Sequence, residues 1–259
     1  MTNTLRPTIL RFDSLPSTNT EAARQAVAGA GEGLCVVARE QSAGRGRRER
    51  AWVSPRDAGL YFSVVLRPRL AAASWSLITL MAAVAVRDAL LEACGLEADI
   101  KWSNDLLARG RKVCGILAEA IETKLGRACV LGVGINLSDH AFPPELLDRA
   151  TSVEAETGTR PERDALLGAL LRQLARRYAE LHEPGGAGAT VSAWSAASTY
   201  AEGKRVRVAL GEEMIEGTTR GLEPDGALRV ELDGGGGIRI VRAGDVTALR
   251  QAGAENFAG

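Results

Sequence analysis

GRGRRERAW, residues 44–52, packs four arginines and two glycines into its first seven positions and closes on a tryptophan. The whole chain carries 32 basic and 32 acidic side chains, so this positive charge is local rather than part of a generally basic surface. Glycine lets a loop take φ > 0 and bring backbone N–H groups against a ligand. Arginine supplies a permanently charged fork of donors that suits phosphate and carboxylate oxygens, and Trp52 adds a flat aromatic face. Such a loop is built to hold a nucleotide-like anion. Taken alone, the run reads equally well as a solvated basic turn, so its meaning depends on its surroundings.

Upstream, Ser17-Thr18-Asn19 marks a helix N-terminus, because short polar side chains accept from orphan backbone N–H groups. Ala22, Ala23, Ala26, Val27 and Ala30 form the apolar face of that helix, and Gly31 ends it. Residues 34–38 make a short strand that leads into the arginine loop. Downstream, residues 61–66 form a second strand, stopped by Arg67-Pro68, and a mostly apolar, central helix spans about 74–94. Three strands follow, near 99–102, 112–121 and 128–135, the last two holding Gly115, Gly132 and Gly134. Glycine inside a strand costs stability and marks close approach by a ligand or another backbone. Residues 162–182 read as a helix with a broad leucine stripe, and 183–190 (EPGGAGAT) as a loop. After Gly203 the pattern changes to short strands at 206–210, 214–219, 227–232 and 238–241, separated by Gly-, Pro- and Asp-rich turns. That spacing predicts a small β-barrel. The Gly234 to Gly237 run is a hairpin turn, too short for a phosphate loop and without its lysine.

At 259 residues the chain has room for one large and one small domain, divided here as 1–202 and 203–259. Balanced charge gives no broad attraction to nucleic acid or membrane. Cys35, Cys94, Cys114 and Cys129 are scattered among apolar residues with no C-x-x-C pair and only two histidines nearby in composition, which argues for buried reduced thiols rather than a metal site. The longest apolar run, 77–86, is too short to span a bilayer, and the N-terminus lacks the apolar core of a signal peptide. A cytoplasmic protein is expected.

Three segments bear on the arginine loop: Ser17-Thr18-Asn19; Lys101-Trp102-Ser103-Asn104-Asp105 with Lys112 and then Gly115-Ile116-Leu117-Ala118-Glu119; and Gly132-Val133-Gly134-Ile135-Asn136-Leu137. Each alone is weak, a cap, a turn or a strand end. Together and in this order they resemble the biotin–protein ligases, whose loop reads GRGRRGR-x-W, with KWPND and G-x-G-I-N downstream. The resemblance runs from about residue 10 to about 250. It implies an α+β fold, a mixed β-sheet backed by helices as in lipoate-ligase catalytic domains, followed by a small SH3-like β-barrel. It also implies a two-step reaction. Biotin's carboxylate attacks the α-phosphate of ATP, giving biotinyl-5′-adenylate and pyrophosphate, and a lysine amine of a biotin carboxyl carrier protein then displaces AMP.

Residue by residue, the resemblance implies a biotin site of Ser17, Thr18, Asn19, Gln41, Arg45, Gly46, Arg47, Lys112, Gly115, Gly132 and Gly134, the strand glycines leaving room for ring and valeryl chain. Arg45, Arg47 and Lys112 match groups placed near the carboxylate and α-phosphate, where fixed positive charge offsets the repulsion of two anions. Arg50 is expected to face the departing pyrophosphate, Trp52 and Asn136 the adenine, and Asn104 the nucleotide. Asp105 is a candidate for orienting Mg²⁺ or the attacking lysine, or is a turn residue beside Asn104. Mg²⁺ is expected mainly on the ATP phosphates, with no protein metal site assigned. Arg48 reads as a solvated neighbour. Two positions depart from the pattern: Glu49 stands for the loop's last glycine, and Ser103 for the proline of KWPND. The resemblance begins near residue 10, so no N-terminal DNA-binding domain is expected, and monomer and homodimer both stay open. Two alternatives remain. One is lipoate or octanoate transfer on the same fold, which the Trp-ended arginine loop and the terminal barrel disfavour. The other is a nucleic-acid-binding module using GRGRR as an arm, with steep salt dependence and no need of ATP.

Overall fold

Side chains alternate between the two faces of a strand, and in this chain the alternation sorts the core into two layers. The computed structural model describes residues 5–249. Its elements run β1 (Thr8–Leu15), α1 (Thr18–Val27), β2 (Leu34–Gln41), β3 (Gly59–Leu66), α2 (Ser76–Cys94), β4 (Asp99–Lys101), β5 (Asp105–Ala108), β6 (Arg111–Thr123) and β7 (Gly126–Asn136). Helices α3 (Val153–Thr157), α4 (Arg163–Leu181) and α5 (Gly186–Ala196) follow, then β8 (Glu202–Leu210), β9 (Glu213–Leu222), β10 (Leu228–Leu232), β11 (Ile238–Val241) and β12 (Asp245–Ala248). The first seven strands form one sheet in the order β1-β2-β3-β7-β6-β5-β4. Only β1 and β2 pair parallel, joined through α1, and every other pair is antiparallel. The last five form an antiparallel sheet in the order β11-β10-β9-β8-β12.

Val36, Val65, Ala128 and Val130 pack against Ala22 and Ala26 of α1 on one face of the large sheet. Their strand neighbours Cys35, Val37, Val64, Leu66, Cys129 and Leu131 enter the other, larger layer with α2, α4 and α5. Helix α2 is apolar all round because it is covered all round, burying Leu77, Ile78 and Leu80 through Val86. It stops at Gly95, which takes φ 64 as the left-handed cap. Along α4 the expected stripe of Leu166, Leu167, Leu170, Leu171, Leu174, Tyr178 and Leu181 is buried. The second sheet continues the larger core: Val206, Val208, Leu228, Val230 and Val246 belong to the same apolar cluster as Leu77 and Leu80. Among the described residues no helix is long and apolar enough to cross a membrane.

The mixed sheet backed by helices and the terminal β unit agree with the expected fold class. Several local expectations need correction. Helix α1 ends at Val27, which is 52% exposed, so Val27 and Ala30 do not extend its buried face and Gly31 lies beyond its end. Residues 183–190 are not wholly loop. Helix α5 begins at Gly186, turned in by Gly185 at φ 81, and is held by the fully buried Trp194. Tertiary packing there overrides two unfavourable glycines. Strands β1, β5 and β12 were not foreseen. Residues 250–259 of the expected terminal domain lie outside the described residues. Cys35, Cys114 and Cys129 are buried, Cys94 is half-buried, and all four are free. Burial pushes the Cys35 and Cys129 thiols up to about 12, which suits inert core thiols.

Candidate active site

The site is built on the α1 face of the large sheet. On that face β7 presents positions 130, 132 and 134, β3 presents 63 and 65, and β6 presents 115, 117, 119 and 121, as the packing of Val130, Val65 and Ile121 against α1 fixes. Register sets Gly115 opposite Gly134 and both Leu117 and Ser63 opposite Gly132. Three of these positions carry no side chain, so the sheet has a shallow slot there. Lys112 would face away from it in an unbroken strand. The pairing of β5 with β6 slips between Leu106 and Leu107, so that Lys112 rather than Val113 opposes Leu107. This bulge re-aims Lys112, whose Nζ comes within 3.1 Å of where a Gly115 Cβ would stand.

At the other end, Ser17 caps α1 by accepting from Thr20 N, which sets Thr18 and Asn19 in the first turn over the slot. Gln41 Oε1 accepts from Thr18 N at 2.8 Å and Thr18 Oγ1 at 3.1 Å, while Gln41 Nε2 donates to Ser54 Oγ at 2.8 Å. Ser63 Oγ donates to Asn19 Oδ1 at 2.6 Å, and Asn19 Nδ2 donates to Glu119 Oε2 at 2.7 Å. A Cβ on Gly132 would lie 1.9 Å from Asn19 Oδ1. Gly132 therefore makes room for Asn19 first, and shapes the slot through it.

The arginine loop folds as a closed hairpin. Gly46 N donates to Arg50 O and Trp52 N to Gly44 O, at 2.7 and 2.9 Å. Gly44 is required at this crossing, since a Cβ would lie 2.3 Å from Trp52 O. Arg48 and Glu49 sit at the tip with φ 52 and 59, so Glu49 occupies a left-handed position where the family pattern has glycine. Each arginine is directed by a partner. Arg45 pairs with Glu119 and reaches Thr20 Oγ1 at 3.4 Å. Arg47 donates to Ser103 Oγ at 2.8 Å and Asn104 Oδ1 at 2.9 Å, and burial pulls its pKa below the usual arginine value. Arg48 and Arg50 both turn to Asp245 of β12, so Arg48 is more than a solvated neighbour. The Trp102–Ser103 peptide bond is cis. The Trp52 indole lies flat on the slot, against Gly115 and Gly134, where Cβ atoms would approach it to 2.9 and 2.5 Å. Lys112 Nζ stands 5.2 Å from its ring centroid and 2.6 Å from Asp105 Oδ1.

Every residue matched to biotin lines one cavity, together with Trp52 and Asn104. With the indole seated, that cavity is only about 50 Å³, room for a few water molecules. Arg50, Asp105 and Asn136 do not line it. Asp105 stands behind Lys112, between it and Lys101 at 3.6 Å. Asn136 is buried, and its Nδ2 donates to Lys112 O and Thr151 O. Three residues around the site were missed in the sequence, Ser54, Ser63 and Asp245, and Glu119 stood in one of its motifs without a role. Ser63 carried a signal, a lone serine within the apolar strand GLYFSVVL.

A slot lined by the polar Ser17, Thr18, Asn19 and Gln41 and by the cations Arg45, Arg47 and Lys112, on a mixed sheet, suits an enzyme that binds a carboxylic acid and activates it. Residues 10–136 match the Biotin/lipoate A/B protein ligase family, and residues 203–247 match the biotin protein ligase C terminal domain. The chain belongs to the biotin protein ligase family. It is 37% identical to the biotin--[acetyl-CoA-carboxylase] ligase of Paracoccus denitrificans, over 89% of this chain and 96% of that one. It is 35% identical to the enzyme of the same name from Mycobacterium tuberculosis, over 90% and 86%. Its fold superposes on the biotin protein ligase from Aquifex aeolicus in complex with biotin and ATP with a TM-score of 0.81, at 27% identity, covering 94% of this chain and 99% of that one.

Proposed function

We propose that this chain activates biotin with ATP to biotinyl-5′-adenylate and then transfers the biotinyl group to one lysine of a biotin carboxyl carrier protein. The observation that carries the reading is one cavity lined by Arg45, Arg47 and Lys112 together with Gly115, Gly132 and Gly134. In the first step a carboxylate oxygen attacks the α-phosphorus and pyrophosphate leaves with the bonding pair. Two anions must approach, and prearranged cations lower that barrier because they need no reorganisation as charge builds. Lys112 and Arg47 serve the carboxylate and α-phosphate, Arg45 the slot's rim, and Arg50 the pyrophosphate. Asn136 has spent both its N–H donors on Lys112 O and Thr151 O, so its carbonyl oxygen is the group left to accept from an adenine amino group.

Biotin takes the slot when the Trp52 indole lifts from Gly115 and Gly134, which leaves the indole above the adenylate. In the second step a lysine amine attacks the acyl carbon and AMP departs. Asp105, beside Lys112, orients that amine. Mg²⁺ comes in on the ATP phosphates. Asp105 already faces two ammonium groups, and among the described residues no group of three His, Cys, Asp or Glu side chains is gathered to hold a metal. The test is incubation with labelled biotin, ATP, Mg²⁺ and a carrier domain, with lipoate and octanoate in parallel. Covalent label on the carrier from biotin alone, dependent on ATP, is expected. Label from lipoate or octanoate instead would overturn the substrate assignment.

A further inference from the structure

Glu119 has no part in the reaction as described, yet it is the point where the arginine loop meets the floor of the slot. It lies on β6 four residues beyond Gly115, on the same face of the sheet, with its side chain 28% exposed. Its two oxygens serve different elements. Oε1 receives the Arg45 guanidinium, and Oε2 receives Asn19 Nδ2 at 2.7 Å. Both N–H groups of the Asn19 amide are engaged, since Nδ2 also reaches Leu117 O at 3.4 Å, and Oδ1 accepts from Ser63. Ser63 Oγ also stands 2.8 Å from Thr18 Oγ1, its one hydrogen shared between that oxygen and Asn19 Oδ1, while Thr18 gives its own hydrogen to Gln41. From Thr18 the line continues to Gln41, to Ser54 and, at 3.1 Å, to the carbonyl of Trp52. Side chains thus join Arg45 at one end of the loop to Trp52 at the other, passing beneath the slot. Glu119 is the only ion in that line besides Arg45 itself, and among the described residues Arg45 has otherwise just the long contact to Thr20.

We propose that Glu119 is a positioning residue that clasps the arginine loop to the slot, holding Arg45 at the slot's rim while it fixes Asn19 beneath. The proposal rests on the two-step reading above for its consequence, retention of the adenylate, but the clasp itself exists without ligand. Glu119→Gln keeps size and an acceptor for Asn19 and removes only the ion pair. Arg45→Gln removes the same pair from the loop side without touching Asn19.

Three measurements test it. Trypsin should cleave after Arg45 faster in ligand-free Glu119→Gln than in the original chain. Preformed biotinyl-adenylate should dissociate about tenfold faster, the scale of one charge-assisted hydrogen bond. The double variant Glu119→Gln/Arg45→Gln should be no worse than Arg45→Gln alone, which a general loss of packing would not produce. Adenylate release within twofold of the original, or strictly additive effects in the double variant, would overturn the clasp. If the original chain makes no adenylate while the tryptic difference persists, the reaction reading fails and the clasp stands.

Discussion

Lys112 reaches the slot only because one extra residue in β6 turns it there, and its ammonium then has two neighbours of opposite meaning. Asp105 at 2.6 Å holds it in place, and the Trp52 ring, 5.2 Å from Nζ, covers it. Negative charge grows at the α-phosphate in the transition state, so loss of Lys112 should depress rate more than ground-state affinity. One such contact is worth on the order of 3 kcal/mol, roughly a hundredfold. Lys112→Ala should slow biotin-dependent pyrophosphate exchange by about that factor, and Lys112→Arg should recover only part, since a fork replaces a point charge. A folded Lys112→Ala protein within twofold of the original rate would make Lys112 a bystander. At this scale much was legible: the residue types and their order picked out Lys112, Arg45, Arg47 and the three glycines as neighbours, and they line one cavity. Their partners were not, because Ser63 and Glu119 acquire meaning only through the register that sets β3 and β6 beside β7. Nor did the strand pattern reveal that Gly132 yields its space to Asn19.

Elements with a strong period were the easier to read, as the stripe of α4 and the apolar runs of β6 and β7 attest. Strand β1 (TILRFDSL) hid because an edge strand with mostly exposed side chains lacks an apolar run. Helix α5 hid because Gly185, Gly186 and Gly188 signal a loop, while the buried Trp194 that secures it acts through tertiary contact. The arginine loop shows the reverse case, a departure whose cost is visible only in the backbone. Glu49 at φ 59 and Arg48 at φ 52 hold conformations that cost a side-chain-bearing residue about 1 kcal/mol or more each. Glu49→Gly should relieve one of them. Its gain is offset in part by the larger entropy of glycine in the unfolded chain, leaving up to about 1 kcal/mol of added stability in urea titration. Glu49→Ala, which removes the charge and keeps the strain, should gain nothing comparable. Equal stability changes in the two variants would assign the effect to charge and sink the backbone account.

The two sheets are tied by contacts that leave little independence to either. Trp102, at the end of β4, donates Nε1–H to Gly226 O at 3.0 Å, and Asp225 O accepts from Ser76 at the start of α2. Asp245 of β12 meets Arg48 and Arg50 of the loop. Leu77 and Leu80 of α2 pack in one cluster with Val206, Val208, Leu228 and Val230 of the terminal sheet. Removing the terminal sheet would therefore uncover Leu77, Leu80 and Trp102, so deletion confuses loss of a docking surface with loss of core. A smaller wedge is cleaner. Gly226 has φ 83, and a Cβ there would lie 2.7 Å from Leu80 Cδ1. Gly226→Ala combines a left-handed backbone with overpacking of α2, a cost of about 1–3 kcal/mol. Because one core runs through both sheets, unfolding should be a single cooperative transition, and the substitution should move all of it. The C-terminal sheet carries no tryptophan, Trp194 is buried in the larger unit and Trp102 at the seam between the two, so tryptophan fluorescence reports the larger unit and the seam, and circular dichroism both sheets. Coincident shifts of the two signals in Gly226→Ala are expected. A dichroism curve that splits into two steps, with a midpoint apart from that of fluorescence, would show that the sheets unfold separately.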